Sequence, residues 1–433
     1  MEISQLLIAE KANFDQIIEL QDMLANIDQI SFEEITNFIS SKFLASKETI
    51  RQLLYSIKFA IEWRPKNFEY YCQLIEIESE IIKENFTSDE LCIEILTNDF
   101  LRLRLYELNL INLNSIKKLS IMNRSSLLFF KPEIENDQID KEKDLLRHEG
   151  MHENELFRLI RNDDLEKFQQ ILSNSAVDVN MKVNFSNYEI STIINDFYRM
   201  PNLIEYSAFF GSVNIFKFLI LNGAHITSRV SQFAVAGGNY EIIHILEEKE
   251  ISFEKTMYFA LRFHRNEVAN YLNEKHGIQF TTVMFQTCVL YYNVEELVEL
   301  FSTIEDFDIN AKDHGMTIFM FAAENGYFDL VRWISMIKGI DINASNEVNV
   351  FKKKSFWNAL LLAVENDHAE IVRFLVSLEG IDVNAQDYQK DTALHLAVSS
   401  QKVEIVKILL SYPKINVNLK NSNVFDCFAV VFS

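Results

Sequence analysis

The stretch Asp391-Thr-Ala-Leu-His-Leu-Ala397 decides how the chain reads. Its threonine stands where an apolar run begins, and a hydroxyl there can accept from the orphan N–H groups of a helix start. Its alanine is small enough for a neighbouring helix to come close. Outward from it the same pattern recurs. Thr317 leads into Ala322-Ala323-Glu-Asn-Gly326, and Asn358 leads into Ala363-Val-Glu-Asn-Asp367. Thr317, Asn358 and Thr392 thus share one position, and all three can cap. A second apolar stretch follows each: Asp329-Leu-Val-Arg-Trp-Ile334, Glu370-Ile-Val-Arg-Phe-Leu375 and Glu404-Ile-Val-Lys-Ile-Leu409. Leu330/Val331, Ile371/Val372 and Ile405/Val406 give it a buried stripe. Gly339 and Gly380 follow, where a left-handed residue ends a helix without a steric penalty. Asn310, Asn343, Asn384 and Asn418 precede the units, at steps of 33, 41 and 34 residues.

A period near 33, an Asp-[Ile/Val]-Asn before each unit and T-x-L-H-x-A inside it resemble the ankyrin-repeat family. The resemblance extends over 153–433 and is regular in 308–418. It implies an all-α solenoid of helix pairs joined by short β-hairpin turns, and a non-enzymatic scaffold that binds a partner protein through its concave surface and hairpin tips. On that geometry the partner contacts fall on the hairpin residues Lys312, Asp313, His314, Asp387, Tyr388 and Gln389. The inner-helix ends Glu324, Asn325, Glu365, Asn366, Ser399 and Ser400 join them. In the family His395 hydrogen-bonds within and between repeats, so it is expected to be structural; Met320 and Leu361 stand at the matching positions.

The composition agrees with helix. Among 433 residues only 4 are proline and 10 glycine, too few for the turns of a β-rich fold. A net charge of −22 would repel nucleic-acid backbones and anionic lipid, and it suits a basic segment of a protein partner. Cys72, Cys92, Cys288 and Cys427 stand far apart without a CxxC pair, the pattern of free thiols in a reducing compartment. The N-terminus lacks a basic region and a long apolar run, and no apolar stretch reaches the ~18 residues needed to span a membrane. A cytoplasmic monomer without cofactor or metal is expected, and the sequons at Asn85, Asn123 and Asn184 are expected to be silent.

Four segments follow. Residues 1–130 lack the repeat and predict an all-helical domain of five or six helices. Ser31-Phe-Glu-Glu34 and Thr87-Ser-Asp-Glu90 read as capping boxes, Ser46 caps a helix that Pro65 ends, and one helix is predicted over 67–86. Residues 131–152 are charged and poor in core residues, and read as a linker. Residues 153–306 read as degenerate repeats. Their small or apolar anchors at 207, 234, 260, 289 and 322 are spaced 27, 26, 29 and 33 residues apart. A step of 26 holds two helices but no hairpin. Residues 307–433 are regular repeats ending in a partial repeat with an apolar tail, either a cap or a truncation. A helical N-terminal region before degenerate and then regular repeats resembles ankyrin families of unicellular eukaryotes.

Two further features bear on function. The 41-residue step carries an insertion of seven or eight residues at a hairpin, joining Phe351, Phe356 and Trp357 to Lys352, Lys353 and Lys354. Exposed aromatics and cations of this kind suit an interface, and a tolerated surface loop is the simpler reading. The second feature, His148-Glu-Gly-Met-His152, fits the zinc pattern H-E-x-x-H, with Glu149 as base. It lies in the charged break, Gly150 weakens the helix that would present both imidazoles, and no third ligand follows, so a metallohydrolase is the least favoured alternative. An adaptor is the nearer one, its N-terminal domain holding one partner while the repeats select another.

Overall fold

The structure is a computed structural model describing residues 2–94, 98–120, 124–135, 137–174, 177–196, 199–304, 308–346 and 356–423. Among these residues it is all-α. Extended pairing is confined to the isolated bridges Lys182–Asn202, Asp313–Met316 and Ser345–Asn358. Residues 15–280 form one compact unit, and residues 281–433 with 1–14 form the other. The division falls at Phe280–Thr281 rather than at 152/153 and 306/307, where the sequence pattern places its boundaries. The physical reason is packing. Residues 64–66 of the N-terminal part bond to the degenerate repeats, and the pair Thr282–Leu290 and Val294–Thr303 packs on the regular ones.

In the 281–433 unit the inner helices Thr282–Leu290, Ile318–Asn325, Ala359–Glu365 and Ala393–Ser399 stack in sequence. The outer helices Phe328–Ser335, Ala369–Ser377 and Val403–Ser411 stack beside them. Each regular inner helix opens at a side chain that accepts from its third residue. Thr317 Oγ1 takes the Met320 N–H at 3.3 Å, Asn358 Oδ1 the Leu361 N–H at 3.0 Å, and Thr392 Oγ1 the His395 N–H at 3.4 Å. Ala322, Ala363 and Ala397 are fully buried, so the stacked helices close over them. The His395 ring is buried with Nδ1 2.8 Å from Thr392 Oγ1.

The asparagines that mark the period tie each repeat to the next. Asn343 donates from Nδ2 to Gly380 O at 2.8 Å and accepts the Asp382 N–H on Oδ1 at 2.8 Å. Asn310 does the same with Gly339 O and the Asp341 N–H, and Asn384 with Lys414 O and the Asn416 N–H. The residue two before each holds it in an Asx turn: Asp308, Asp341 and Asp382 accept the N–H groups of Asn310, Asn343 and Asn384. The motif therefore satisfies turn backbone that no helix could.

In the 15–280 unit the repeat logic survives as helix pairs, from Glu155–Arg161 with Leu165–Asn174 to Met257–Arg262 with Asn266–His276. Among the described residues one rung of the ladder remains, Asn180 Oδ1 accepting the His225 N–H at 2.7 Å. The inner helices come closer here. A Cβ on Gly237 would lie 2.5 Å from Phe209 O and 2.6 Å from Ala208 O, so only glycine permits the approach.

The N-terminal part departs from expectation in detail. Thr87 and Glu90 make their capping box and Ser46 caps Lys47–Trp63, whereas Ser31 makes no side-chain cap bond. The predicted helix over 67–86 breaks at Glu78 into Phe68–Ile77 and Ser79–Asn85, and more, shorter helices replace the five or six expected. The charged segment 131–152 is packed, not a free linker. Arg147 is buried, both Glu133 oxygens accept from its Nη2 at 2.9 Å, and its guanidinium lies over the Phe129 ring. Charge alone could not show that this arginine has a carboxylate and an aromatic face awaiting it.

Candidate partner-binding surface

Three hairpin tips on successive regular repeats carry the exposed side chains. In the first, Asp313 and Met316 exchange backbone bonds around His314 and Gly315, both at positive φ (48° and 83°), and the His314 side chain is 88 % exposed. Two consecutive left-handed residues make the tight turn that matches strand twist. In the third, Asp387 and Asp391 close the turn that presents Tyr388, which is 67 % exposed. Gln389 is also exposed, its carbonyl accepting the Ser422 N–H.

The middle tip holds the insertion. Asn346 N–H donates to Trp357 O at 2.9 Å, and the Trp357 N–H donates to Asn346 Oδ1 at 2.8 Å. Phe351, Lys352, Lys353 and Lys354 lie outside the described residues, as does the apolar tail 424–433. Phe356 is 42 % exposed at φ 64°. In that region a Cβ crowds the following carbonyl oxygen, at a cost of roughly 1 kcal/mol or more.

Trp357 corrects the expectation of an exposed aromatic. It is buried, and its indole Nε1 donates to Asp387 Oδ2 at 3.3 Å. Asp387 is buried too, its Oδ1 accepting the N–H groups of Gln389 and Asp391 at 2.8 Å. Burial pushes its carboxyl above the ordinary range against these donors. Both residues thus build the hairpin rather than face a partner. Asp387 supplies the turn's acceptors, and the large indole ring finds burial between adjacent repeats; spacing could not separate it from Phe356 next door.

At the inner-helix ends Ser399 and Ser400 are exposed, and Lys312 is exposed beside the first tip. Glu324, Asn325, Glu365 and Asn366 are half-buried because each end is capped from the next repeat. Asn325 and Asn366 also bond back to Phe321 O and Leu362 O. His368 reaches Glu324 O at 3.0 Å, and Lys402 Nζ donates to Val364 O at 2.9 Å and to Glu365 O. The same device appears earlier, with Tyr327 donating to Leu290 O, Arg265 to Ala236 O and Ser212 to Ile160 O. Sequence reasoning missed it, because five different side chains perform it from one position, the start of the outer helix.

In the 15–280 unit the corresponding helix ends are covered by the chain itself. Arg64 donates to Phe263 O at 3.2 Å, Lys66 to Phe210 O at 2.9 Å, and Arg161 to Pro65 O at 2.7 Å. The Trp63 ring stacks on His264 with centroids 4.2 Å apart.

The zinc-like pattern is not presented on one helix. Lys141–Glu149 ends at Gly150, which is left-handed, so His148 and His152 part. His148 Nε2 lies 2.6 Å from Glu107 Oε1, and His152 Nε2 3.0 Å from Asn184 O. The hydrogen bond to Glu107, against partial burial, holds the His148 imidazole above its ordinary pKa. Nor are the described cysteines poised as nucleophiles. Burial pushes Cys72 up to about 12 and Cys92 up to about 11, and raises Cys288 as well.

Residues 344–421 match the family described as Ankyrin repeats (3 copies), and residues 314–344 match Ankyrin repeat. Residues 221–300 match a Domain of unknown function (DUF3447), which falls on the degenerate repeats. No curated protein matches the chain. Stacked helix pairs, capped inner helices and hairpin tips over 308–423 define a protein–protein interaction module. Residues 314–421 of the chain are ankyrin repeats. Such repeats are typically non-enzymatic, and among the described residues no helix is long and apolar enough to cross a membrane.

Proposed function

We propose that the chain is a cytoplasmic scaffold whose regular repeats capture a partner protein through the tips at His314, Phe356 and Tyr388. Lys312, Gln389, Ser399 and Ser400 lie at the edges of that surface. Phe356 carries the reading. A bulky aromatic that is exposed and backbone-strained costs the fold stability, and such strain persists where something other than stability retains it. Exposed aromatics supply contact area at low entropic cost. Trp63 to Asn67 cover the inner-helix ends of 153–280 in cis, so recognition of a partner falls to 308–423. A basic segment suits the −22 net charge, which would steer its approach.

The test is capture of interacting proteins by the intact chain and by a Phe356→Gly/Tyr388→Ala variant. Loss of specific partners by a variant with unchanged circular dichroism supports the surface. An identical partner set in both would overturn it, and affinity indifferent to salt would remove the electrostatic part.

A further inference from the structure

Beside the cis contact of Trp63 to Asn67, inside the 15–280 unit, lies a polar cavity of about 400 Å³. That is within the usual size of small-molecule sites, roughly 300–1,000 Å³. Three cations line it: Arg64, Lys66 and Arg265. Among the described residues none of them forms an ion pair. Each hydrogen-bonds to backbone carbonyls: Arg64 to Trp63 O and Phe263 O, with His264 O at 3.5 Å, Lys66 to Phe210 O, its ammonium also overlying the Phe210 ring, and Arg265 to Ala236 O. A guanidinium has five N–H donors and an ammonium three. Arg265 uses its Nε, and neither of its Nη atoms has a protein partner among the described residues. Lys66 Nζ likewise makes one bond. The lining includes a single carboxylate, Asp28, which accepts from Asn67 Nδ2 at 3.5 Å.

The cations also feel one another. Burial pushes Arg64 down to about 10 against the pull of Tyr71 and Asp28, and exposed Lys66 feels repulsion from Arg161 and attraction from Asp163. Arg265 is pushed down by burial and then by Arg64. The fold builds for this arrangement. Gly238 is left-handed, and a Cβ there would meet Arg265 Nε at 2.6 Å, so a side chain would displace the guanidinium. Concentrating positive charge in a cleft of a chain with net charge −22 is unfavourable unless an anion completes it.

We propose that this cavity binds a small anion through a multiply charged phosphate group. A lone carboxylate would neutralise one cation of three. A diphosphate offers several oxygens to the forked guanidinium of Arg265 and to Lys66, the geometry in which arginine and phosphate bind best. The phosphate could come from inorganic pyrophosphate or from a nucleoside diphosphate, and Asn67 and Asn239 at the rim supply neutral polar contacts for either.

The experiment is isothermal titration calorimetry of the full chain with sodium pyrophosphate, ADP and, at matched ionic strength, sodium sulfate. Saturable binding of pyrophosphate or ADP but not sulfate is expected, with loss of about tenfold in affinity in Lys66→Gln and in Arg265→Gln. Lys66→Arg should keep it. Tighter ADP than pyrophosphate assigns a nucleotide, and equal affinities assign the diphosphate alone. No saturable heat with either probe would overturn the proposal. So would binding that sulfate matches, or binding unchanged in Lys66→Gln. Lys66 is solvent-exposed, so its variant remains informative even where Arg265→Gln fails to fold.

Discussion

The regular repeats at 308–423 and the degenerate ones at 153–280 solve one problem in two ways. Each stacked helix pair leaves turn carbonyls and helix ends to satisfy. The regular repeats do this from within, with Asn310, Asn343 and Asn384 each bonding twice to the next turn. Among the described residues the degenerate repeats keep one rung, at Asn180, and no hairpin of the regular kind. Two of their helix ends, at Phe263 and Phe210, take donors from outside the repeat, Arg64 and Lys66 of the N-terminal part. A repeat can thus shed its signature and keep its fold when another part of the chain supplies the missing donors.

That contrast can be broken at its tightest point. Gly237→Ala should destabilise the 15–280 unit by about 3 kcal/mol, because the added Cβ meets backbone and not a movable side chain. Chemical denaturation with native-state proteolysis would place the loss in 15–280. A wild-type midpoint would show that the helices part easily.

Asn343→Ala should cost about 2 kcal/mol by removing two hydrogen bonds to backbone, and Asn180→Ala, with its one rung, about half that. Equal losses in denaturant titrations would erase the distinction between the two kinds of repeat.

Buried charge separates the units as well. Glu296 is buried in the first helix pair of 281–433, and its Oε2 has no partner among the described residues. Burial first, then the neighbouring Glu299 and Glu295, push its carboxyl up to about 8. The unfolded carboxyl ionises near 4.5 while the folded one holds its proton to about 8. Stability is therefore full below 4.5, falls as pH rises through that interval, and levels beyond it. Glu296→Gln should flatten that slope and raise the thermal midpoint by about 3 °C at pH 8, with little change at pH 5. A parallel pH profile in the variant would count against a neutral Glu296.

The smallest effect is a gain. Phe356→Gly should add about 1 kcal/mol by releasing the left-handed strain, while partner capture falls. A variant that is less stable, or that binds as before, would return Phe356 to the role of an ordinary loop residue.

Much of this was legible in the chain. The period of 33 residues, the caps at Thr317, Asn358 and Thr392 and the small Ala322, Ala363 and Ala397 are local or periodic, and local rules carry them. The site was legible only in part. Position in the repeat located the tips at His314 and Tyr388, but could not tell exposed Phe356 from buried Trp357, since adjacent residues differ by which way the backbone turns.

By itself the sequence determined the all-α repeat class and the place of the regular array, because periodicity and capping act within a few residues. Tertiary structure alone decided that 131–152 is packed, that the unit boundary falls at Phe280–Thr281, and that Arg64, Lys66 and Arg265 share one cavity. Those three are up to 201 residues apart. No local propensity records such a meeting, because it follows from which helix ends lack donors once the helices are stacked.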